Sequence, residues 1–409
     1  MVQGDNSEVD QAQVRTLAAL ESPVFRRLWA ASWSYYTYRS MELAVLSWLV
    51  LEMTNSPFQV ALVSASRAAP LFFLGLFAGS IADRFSKHSV MAAGQFINII
   101  SVTYIAALLF IDEAKPIHVF LAVGIGGFAW ALDFTARRAY LASLFQGRSL
   151  TNAMSLDSGV LISSNLTGPI LGTALIRWSG FSGAYIGMAL FALTGLMLML
   201  SLKHDNRTSE KGVNPLLALS EAISTARTYK SVAAVVLITA AFNIFGWPIT
   251  TQIPVIARND LHVPEIMYGL LVGGIGAGAI VGAILLATFN PRKRGYVYTA
   301  GTLLFMVSAF VFSFSEWYLV SLFLLFILGM GLVCFATMQP LLVVEAVPPE
   351  LRGRALGAVA LAIGVSPPGM LAVGFAAGTI GAKTSVAVLT FIGIFVIAII
   401  AWRYPALRE

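Results

Sequence analysis

Apolar runs of about twenty to thirty residues, separated by short polar turns, recur twelve times along this 409-residue chain. A bilayer's hydrocarbon core takes about 20 mostly apolar residues per helix. The runs near 25–51, 57–82, 88–111, 117–142, 151–176, 181–202, 231–257, 264–289, 296–314, 317–345, 352–378 and 383–404 therefore predict twelve transmembrane helices. The longest polar interval, 203–230, divides six runs from six. The pattern predicts an all-α membrane protein of two pseudo-symmetric six-helix bundles, 23–202 and 231–404. A linker (203–230), a disordered N-terminus (1–22) and a short C-terminal tail (405–409) complete the chain. Gly168-Pro169 in the fifth run and Pro367-Pro368-Gly369 in the eleventh lie at similar depths. Proline removes a backbone donor and kinks a helix, so these positions, with Gly172, predict corresponding hinge or packing points. Gly274, Gly278 and Gly282 form a four-residue stripe that predicts close helix packing.

Composition agrees with this class. Hydrophobic residues make up 58% of the chain and charged residues 11%, with a mean hydropathy of +0.80. A soluble globule carries about a quarter charged residues. Twenty of the 26 Lys and Arg fall in or near the loops on one side of the twelve runs, four on the other, and two, Arg39 and Arg67, are embedded deep within runs. The side rich in Lys and Arg faces the cytoplasm, so both termini are expected there, in a multi-pass protein of the cytoplasmic (inner) membrane. Basic loops against an anionic leaflet also account for the net charge of +6 without nucleic acid. The opening MVQGDNSEVDQAQ lacks the basic-then-apolar order of a signal peptide, so the first run is expected to serve as an uncleaved insertion signal. Cys334 is the single cysteine, and the four histidines lie by different loops, so neither a disulfide nor a metal site is expected. No nucleotide loop, G-x-S-x-G or H-E-x-x-H is present, and no enzyme or cofactor is predicted.

Few charged groups lie within the runs, and each costs at least ~2.5–3.5 kcal/mol at mid-membrane unless paired or wet. Arg39 and Glu42 share one helix face, and Arg67 lies at nearly the same depth, so Glu42 is expected to pair with Arg39 or Arg67. That pair could be a static staple or a site for substrate or protons. Asp133 and Arg137 are four apart in the fourth run, with Arg138 beside them and Asp157 six residues into the fifth. The second half has no carboxylate deep within its runs; Glu345 lies near one end of its run and Glu265 at the start of another. It offers Asn243, Trp247, Gln252 and Gln339, which with Tyr35 and Asn165 suit a cavity for an amphipathic organic molecule.

At the end of the second run stands GSIADRFSK, residues 79–87. Gly79, Ala82, Asp83, Arg84 and Lys87 resemble motif A of the major facilitator superfamily, G-x-L-A-D-R-x-G-R-K, with Ile81 for Leu and Ser86 for Gly. Asp133-Phe134-Thr135-Ala136-Arg137-Arg138-Ala139, then Asn152-Ala153, are similar to segments of the bacterial enterobactin-exporter and drug-efflux branch. Gly168-Pro169-Ile170-Leu171-Gly172 resembles its antiporter motif, with Thr173 for the last Gly. The resemblance implies the major facilitator fold and transport by alternating access. It implies a cytoplasmic gate at Gly79, Asp83, Arg84 and Lys87, to which Asp133, Arg137 and Arg138 add an inner layer of charge. The expected activity is proton-coupled export of small drug-like or siderophore-like compounds by a monomer, with Glu42 first and Asp157 second as proton carrier. Two other readings stay open: a facilitator or importer of an anionic or lipid-like solute held by Arg39 and Arg67, and a non-transporting receptor or scaffold.

Overall fold

A computed structural model describes residues 18–202 and 215–405 except 85 and 146, and their side chains except those of 18, 71–84, 135, 147–148 and 215–218. Every regular element among them is helical. Helix α1 spans Pro23–Thr54, α2 Pro57–Arg84, α3 Lys87–Phe110 and α4 Pro116–Leu144. The stretch Gly147–Leu200 is two helices, α5 (147–179) and α6 (181–200), because Gly180 adopts φ 68°, ψ −176°, a conformation open to glycine alone. A short helix α7, Pro215–Thr228, lies within the 203–230 linker. Then follow α8 (Lys230–Asp260), α9 (Glu265–Phe289), α10 (Arg294–Phe312), α11 (Tyr318–Glu345), α12 (Pro349–Ile380) and α13 (Ala382–Arg403).

Local chemistry sets the ends. Pro23 and Pro116 take the first helical position, where a missing N–H costs nothing. Ser22 and Ser86 cap α1 and α3 by accepting from Phe25 and Ser89 backbone N–H groups. Asn55 ends α1 in the left-handed region, φ 47°.

Among the described residues nine helices are long and apolar enough to cross a membrane, the stretch 149–200 counting once. At ~1.5 Å per residue its 52 residues measure about 78 Å, two bilayer crossings, and Gly180 is where it folds back. Helices α1 and α2 complete the twelve. Twenty of the 32 residues of α1 are buried, Arg39 and Glu42 included, so its polar groups face protein rather than lipid. Phe96, Ile100 and Tyr104 on α3, and Ile117, Leu121 and Ile125 on α4, are exposed at four-residue spacing; these are the lipid-facing stripes.

The contacts repeat between halves. Helix α3 packs on α4 and α6, and α10 correspondingly on α11 and α13; α2 packs on α4, and α9 on α11. Across the middle, α2 meets α12 and α5 meets α9. Second helix of one half against fifth of the other, twice, is the signature of a pseudo-two-fold axis. Helix α9 presents bare backbone on two flanks. Gly274, Gly278 and Gly282 lie against Leu322, Phe326 and Met330 of α11, within its own half, as the sequence spacing predicts. Gly269, Gly273 and Gly276 lie against Pro169, Ile170 and Leu166 of α5, where a methyl on Gly276 would stand 2.5 Å from the Leu166 nitrogen.

The two proline positions differ. Helix α5 runs through Gly168-Pro169 uninterrupted, with Gly168 and Gly172 seated on Ser40, Met41 and Val45 of α1. Helix α12 breaks at Val365, just before Pro367-Pro368, and Gly369 meets the Ile244 carbonyl and Pro248 of α8. Helix α8 is itself irregular there, with a wide turn at Phe242–Gly246 followed by a tight one at Trp247–Gln252.

Candidate functional site: two buried charge layers and a clasp

Both charge layers of the first half sit where its helices are most buried. In the deeper one, Arg39 Nη1 donates to Glu42 Oε2 at 2.6 Å, one helical turn away on α1. The Tyr38 hydroxyl donates to Glu42 Oε1 at 3.1 Å. Arg67 enters from α2, its Nη2 donating to the Arg39 carbonyl at 3.3 Å and standing 4.0 Å from Glu42 Oε2. Glu42 thus pairs with Arg39, and Arg67 sits beyond hydrogen-bond reach. Asn98 of α3 and Gly126 of α4 close the group; a Cβ on Gly126 would stand 3.1 Å from Asn98 Oδ1 and 3.5 Å from Arg39 Nη1. Two guanidiniums meet one carboxylate.

The second layer lies toward the end that carries both termini. Arg137 of α4, 1% exposed, grips Asp133 with Nε to Oδ2 at 3.0 Å and Nη2 to Oδ1 at 3.1 Å. Its Nη1 donates to Ser32 Oγ at 2.8 Å, and Ser32 Oγ donates onward to Asp157 Oδ1 at 2.7 Å. The Tyr36 hydroxyl donates to Asp157 Oδ2 at 3.2 Å. The guanidinium also lies 5.3 Å from the ring centres of Tyr35 and Tyr36, a cation–π arrangement. Helices α4, α1 and α5 are thereby tied by one chain of polar contacts. Asp157 takes part in none of the ion pairs among the described residues; its partners are hydroxyls.

Tyr35 belongs between the layers: its ring faces Arg137 below and Tyr38 above, 6.3 Å away. The sequence-predicted residues thus form two groups, Tyr35–Arg39–Glu42–Arg67 and Asp133–Arg137–Asp157. Arg138 stands apart, exposed, with its guanidinium 4.1 Å from the Phe134 ring centre. Lys87 begins α3, and the side chains of Gly79, Asp83 and Arg84 lie outside the described residues. Asn165 is on an exposed face of α5 and accepts from Ser40 Oγ at 2.8 Å.

In the second half, Gln339 Nε2 donates to Thr239 Oγ1 at 2.8 Å, Thr239 lies 3.0 Å from the Tyr298 hydroxyl, and that hydroxyl donates to the Val235 carbonyl at 3.1 Å. Asn243 joins by donating to the Thr239 carbonyl at 2.9 Å. Phe335 stacks between Phe242 and Tyr298, its ring 4.1 Å and 5.4 Å from theirs. Gln252 is fully buried and Trp247 half-buried, neither in this network. Glu345 is exposed and paired with Arg294.

Far from the termini the halves are fastened directly. Arg258, at the end of α8, donates to the Leu51 carbonyl at 3.1 Å and Asn55 Oδ1 at 3.4 Å, and lies 3.5 Å from Glu52. One turn inward, Trp48 stacks on Tyr268 at 5.2 Å, and Gly374 of α12 abuts Phe58 and Ala61 of α2. Ser158 and Gly159 of α5, nearer the termini, are exposed, and nothing stands within 4 Å of a Cβ built on Gly159. The far end is closed by contacts between halves. An R258Q variant is expected to loosen it. With Cys334 replaced by serine, labelling of a cysteine placed at Leu43 from the far side should rise about two- to fivefold, as one partly exposed ion pair and its helix-end contacts warrant.

Ser32, Asn98, Gly126, Thr239, Tyr298 and the Arg258–Glu52 pair were not among the sequence-predicted site residues. Of these only Ser32, four residues before Tyr36 on α1, carries a spacing signal. Lone serines, amides and glycines in membrane helices carry none.

A sequence model of the Major Facilitator Superfamily matches residues 28–368. The chain is 26% identical over 334 residues to the uncharacterized MFS-type transporter YfiS of Bacillus subtilis, covering 78% of this chain and 77% of that one. It is 20% identical to the staphyloferrin A transporter of Staphylococcus aureus, over 66% and 67% of the two chains. It is 21% identical to the chloramphenicol resistance protein CraA of Acinetobacter baumannii, over 63% and 61%. Among solved structures, a bacterial homolog of the human lysosomal transporter Spinster, inward-facing and occupied, superposes with a TM-score of 0.73 at 13% identity, covering 95% of this chain and 98% of that one.

Proposed function

Because this chain belongs to the major facilitator superfamily, a family of membrane transporters, we propose that it exports small amphipathic organic compounds in exchange for protons, with Asp157 as proton carrier. The observation that carries this reading is the environment of Asp157: a buried acid hydrogen-bonded by two hydroxyls, Ser32 and Tyr36, with Arg137 and Arg138 nearby but in a direct ion pair with neither. Such a group can be neutralised by a proton without stranding a buried positive charge. At Glu42 the loss of its negative charge would leave Arg39 and Arg67 side by side with no anion between them, which favours Asp157. Asp157 also shares Ser32 with Arg137, so a change in its charge reaches α4 through one hydroxyl.

The direction of transport is supported by the span-five resemblance to exporters and by the chloramphenicol-resistance relative. The surplus of basic loops on the terminus side supports cytoplasmic termini, and the closed far end is then the outer one. The second half, with amides and aromatic rings but no charged group in its buried network, suits the apolar body of a substrate. A single chain contains both halves and both layers, so a monomer suffices.

The test uses the full-length protein in liposomes with chloramphenicol as first probe and an imposed pH gradient. Accumulation that follows the gradient and stops when an ionophore collapses it is expected. Equilibration at the same rate with and without the gradient would make the protein a facilitator and remove the proton from the mechanism.

A further inference from the structure

The deeper layer is out of charge balance. Arg39 and Arg67 bring two positive charges from two helices, and Glu42 supplies one negative charge. Arg67, partly buried and 4.0 Å from a carboxylate that Arg39 already holds, is left incompletely compensated, which is expensive away from water. Hydrogen bonding is incomplete in the same place: Arg39 Nε and Arg67 Nη1 are buried donors with no partner, and Asn98 Oδ1 and the Tyr35 hydroxyl are buried without one. Native buried polar groups are rarely left so. Glu42 does not serve them: it accepts from Arg39 and Tyr38, and Arg67 stands 4.0 Å away, beyond hydrogen-bond reach.

We propose that Arg39 and Arg67 form a seat for the acid group of an organic anion, a carboxylate being the group whose two oxygens match two separate guanidinium edges. The inference rests on the transport reading above and narrows its substrate class: the amphipathic compound carries a carboxylic acid. Asn98 Oδ1 accepts from a hydroxyl on that acid. Gly126 keeps room beside the group, because an alanine methyl there would crowd Asn98 Oδ1 at 3.1 Å and rest against Arg39 Nη1 at 3.5 Å. Occupation by the acid makes the layer two positive against two negative.

The test is thermal unfolding of the purified full-length protein with salicylate, salicylamide and sodium chloride as probes, in wild type, R67Q and R67K. Salicylate is expected to stabilise the wild type with an apparent affinity about tenfold or more above that of its amide, the worth of one charge-assisted contact. In R67Q that preference vanishes, while the unliganded protein melts no lower than wild type because the unbalanced charge is gone. R67K, which keeps the charge without the fork, retains a weakened preference. Equal effects of acid and amide, no effect of either, or an acid preference that survives in R67Q would overturn the seat. Chloride matching salicylate in the wild type would reduce it to an inorganic-anion site and also overturn it. Chloramphenicol movement in liposomes without any acid preference removes the seat alone. Acid binding without gradient-driven movement of either salicylate or chloramphenicol in liposomes removes the transport reading alone.

Discussion

An Asp157→Asn variant is expected to fold normally and to lose nearly all gradient-driven accumulation. One proton crossing 100 mV is worth ~2.3 kcal/mol, about a fiftyfold concentration ratio, and that ratio should fall to near unity. The structural cost is small: asparagine keeps one acceptor for Ser32 or Tyr36, and a displaced neutral hydrogen bond costs about 1 kcal/mol. The charged groups around the site are few. From α4 come Arg137 and Asp133, one hydroxyl removed, and Arg138, whose charge also acts on Asp157; from α1 only the hydroxyls of Ser32 and Tyr36 reach it. Neutralising Asp157 permanently therefore mimics its protonated state, and exchange down a concentration gradient should continue. Glu42→Gln supplies the contrast. It removes the partner of Arg39 in a layer already short of negative charge, so its main effect is a fall in melting temperature. Full accumulation in the Asp157 variant together with loss in a folded Glu42 variant would move the proton site to Glu42.

The second large effect is on stability. Asp133→Ala leaves Arg137 buried with neither of its two carboxylate contacts, and breaking a buried pair from one side costs about 3–5 kcal/mol. The loss spreads, because Arg137 also holds Ser32 in place for Asp157. Replacing both partners by apolar residues of similar volume, D133L with R137M, is expected to recover most of the stability, since a well-packed apolar pair often equals a buried ion pair. It should not recover transport. Thermal unfolding of the single and double variants decides the matter: equal destabilisation by both would mean that the pair is itself stabilising and that its removal, not the orphaned cation, carries the cost.

Much of the architecture could be read from apolar run lengths alone, because lipid admits few alternatives to helices of a set length. The glycine stripe of α9 and the pairing of Asp133 with Arg137 follow from helical spacing. The partner of Glu42 does not, since depth places Arg39 and Arg67 equally near and only side-chain reach separates 2.6 Å from 4.0 Å. Ser32 lies 125 positions from Asp157, a distance over which periodicity carries no information. The uninterrupted course of α5 through Pro169 is also illegible from composition. Gly168 and Gly172 let α1 lie directly on the backbone there, so the helix continues through the proline against a packed neighbour.

The bare backbone on two flanks of α9 has a mechanical consequence. Meshed side chains at a helix crossing must unlock before the helices can turn; a glycine surface offers nothing to unlock. At Gly269, Gly273 and Gly276 the halves touch with no α9 side chain between them, so a turn of one half over the other would have no knob on α9 to displace. The resistance to opening is then concentrated at the rim, where Arg258 holds the end of α1.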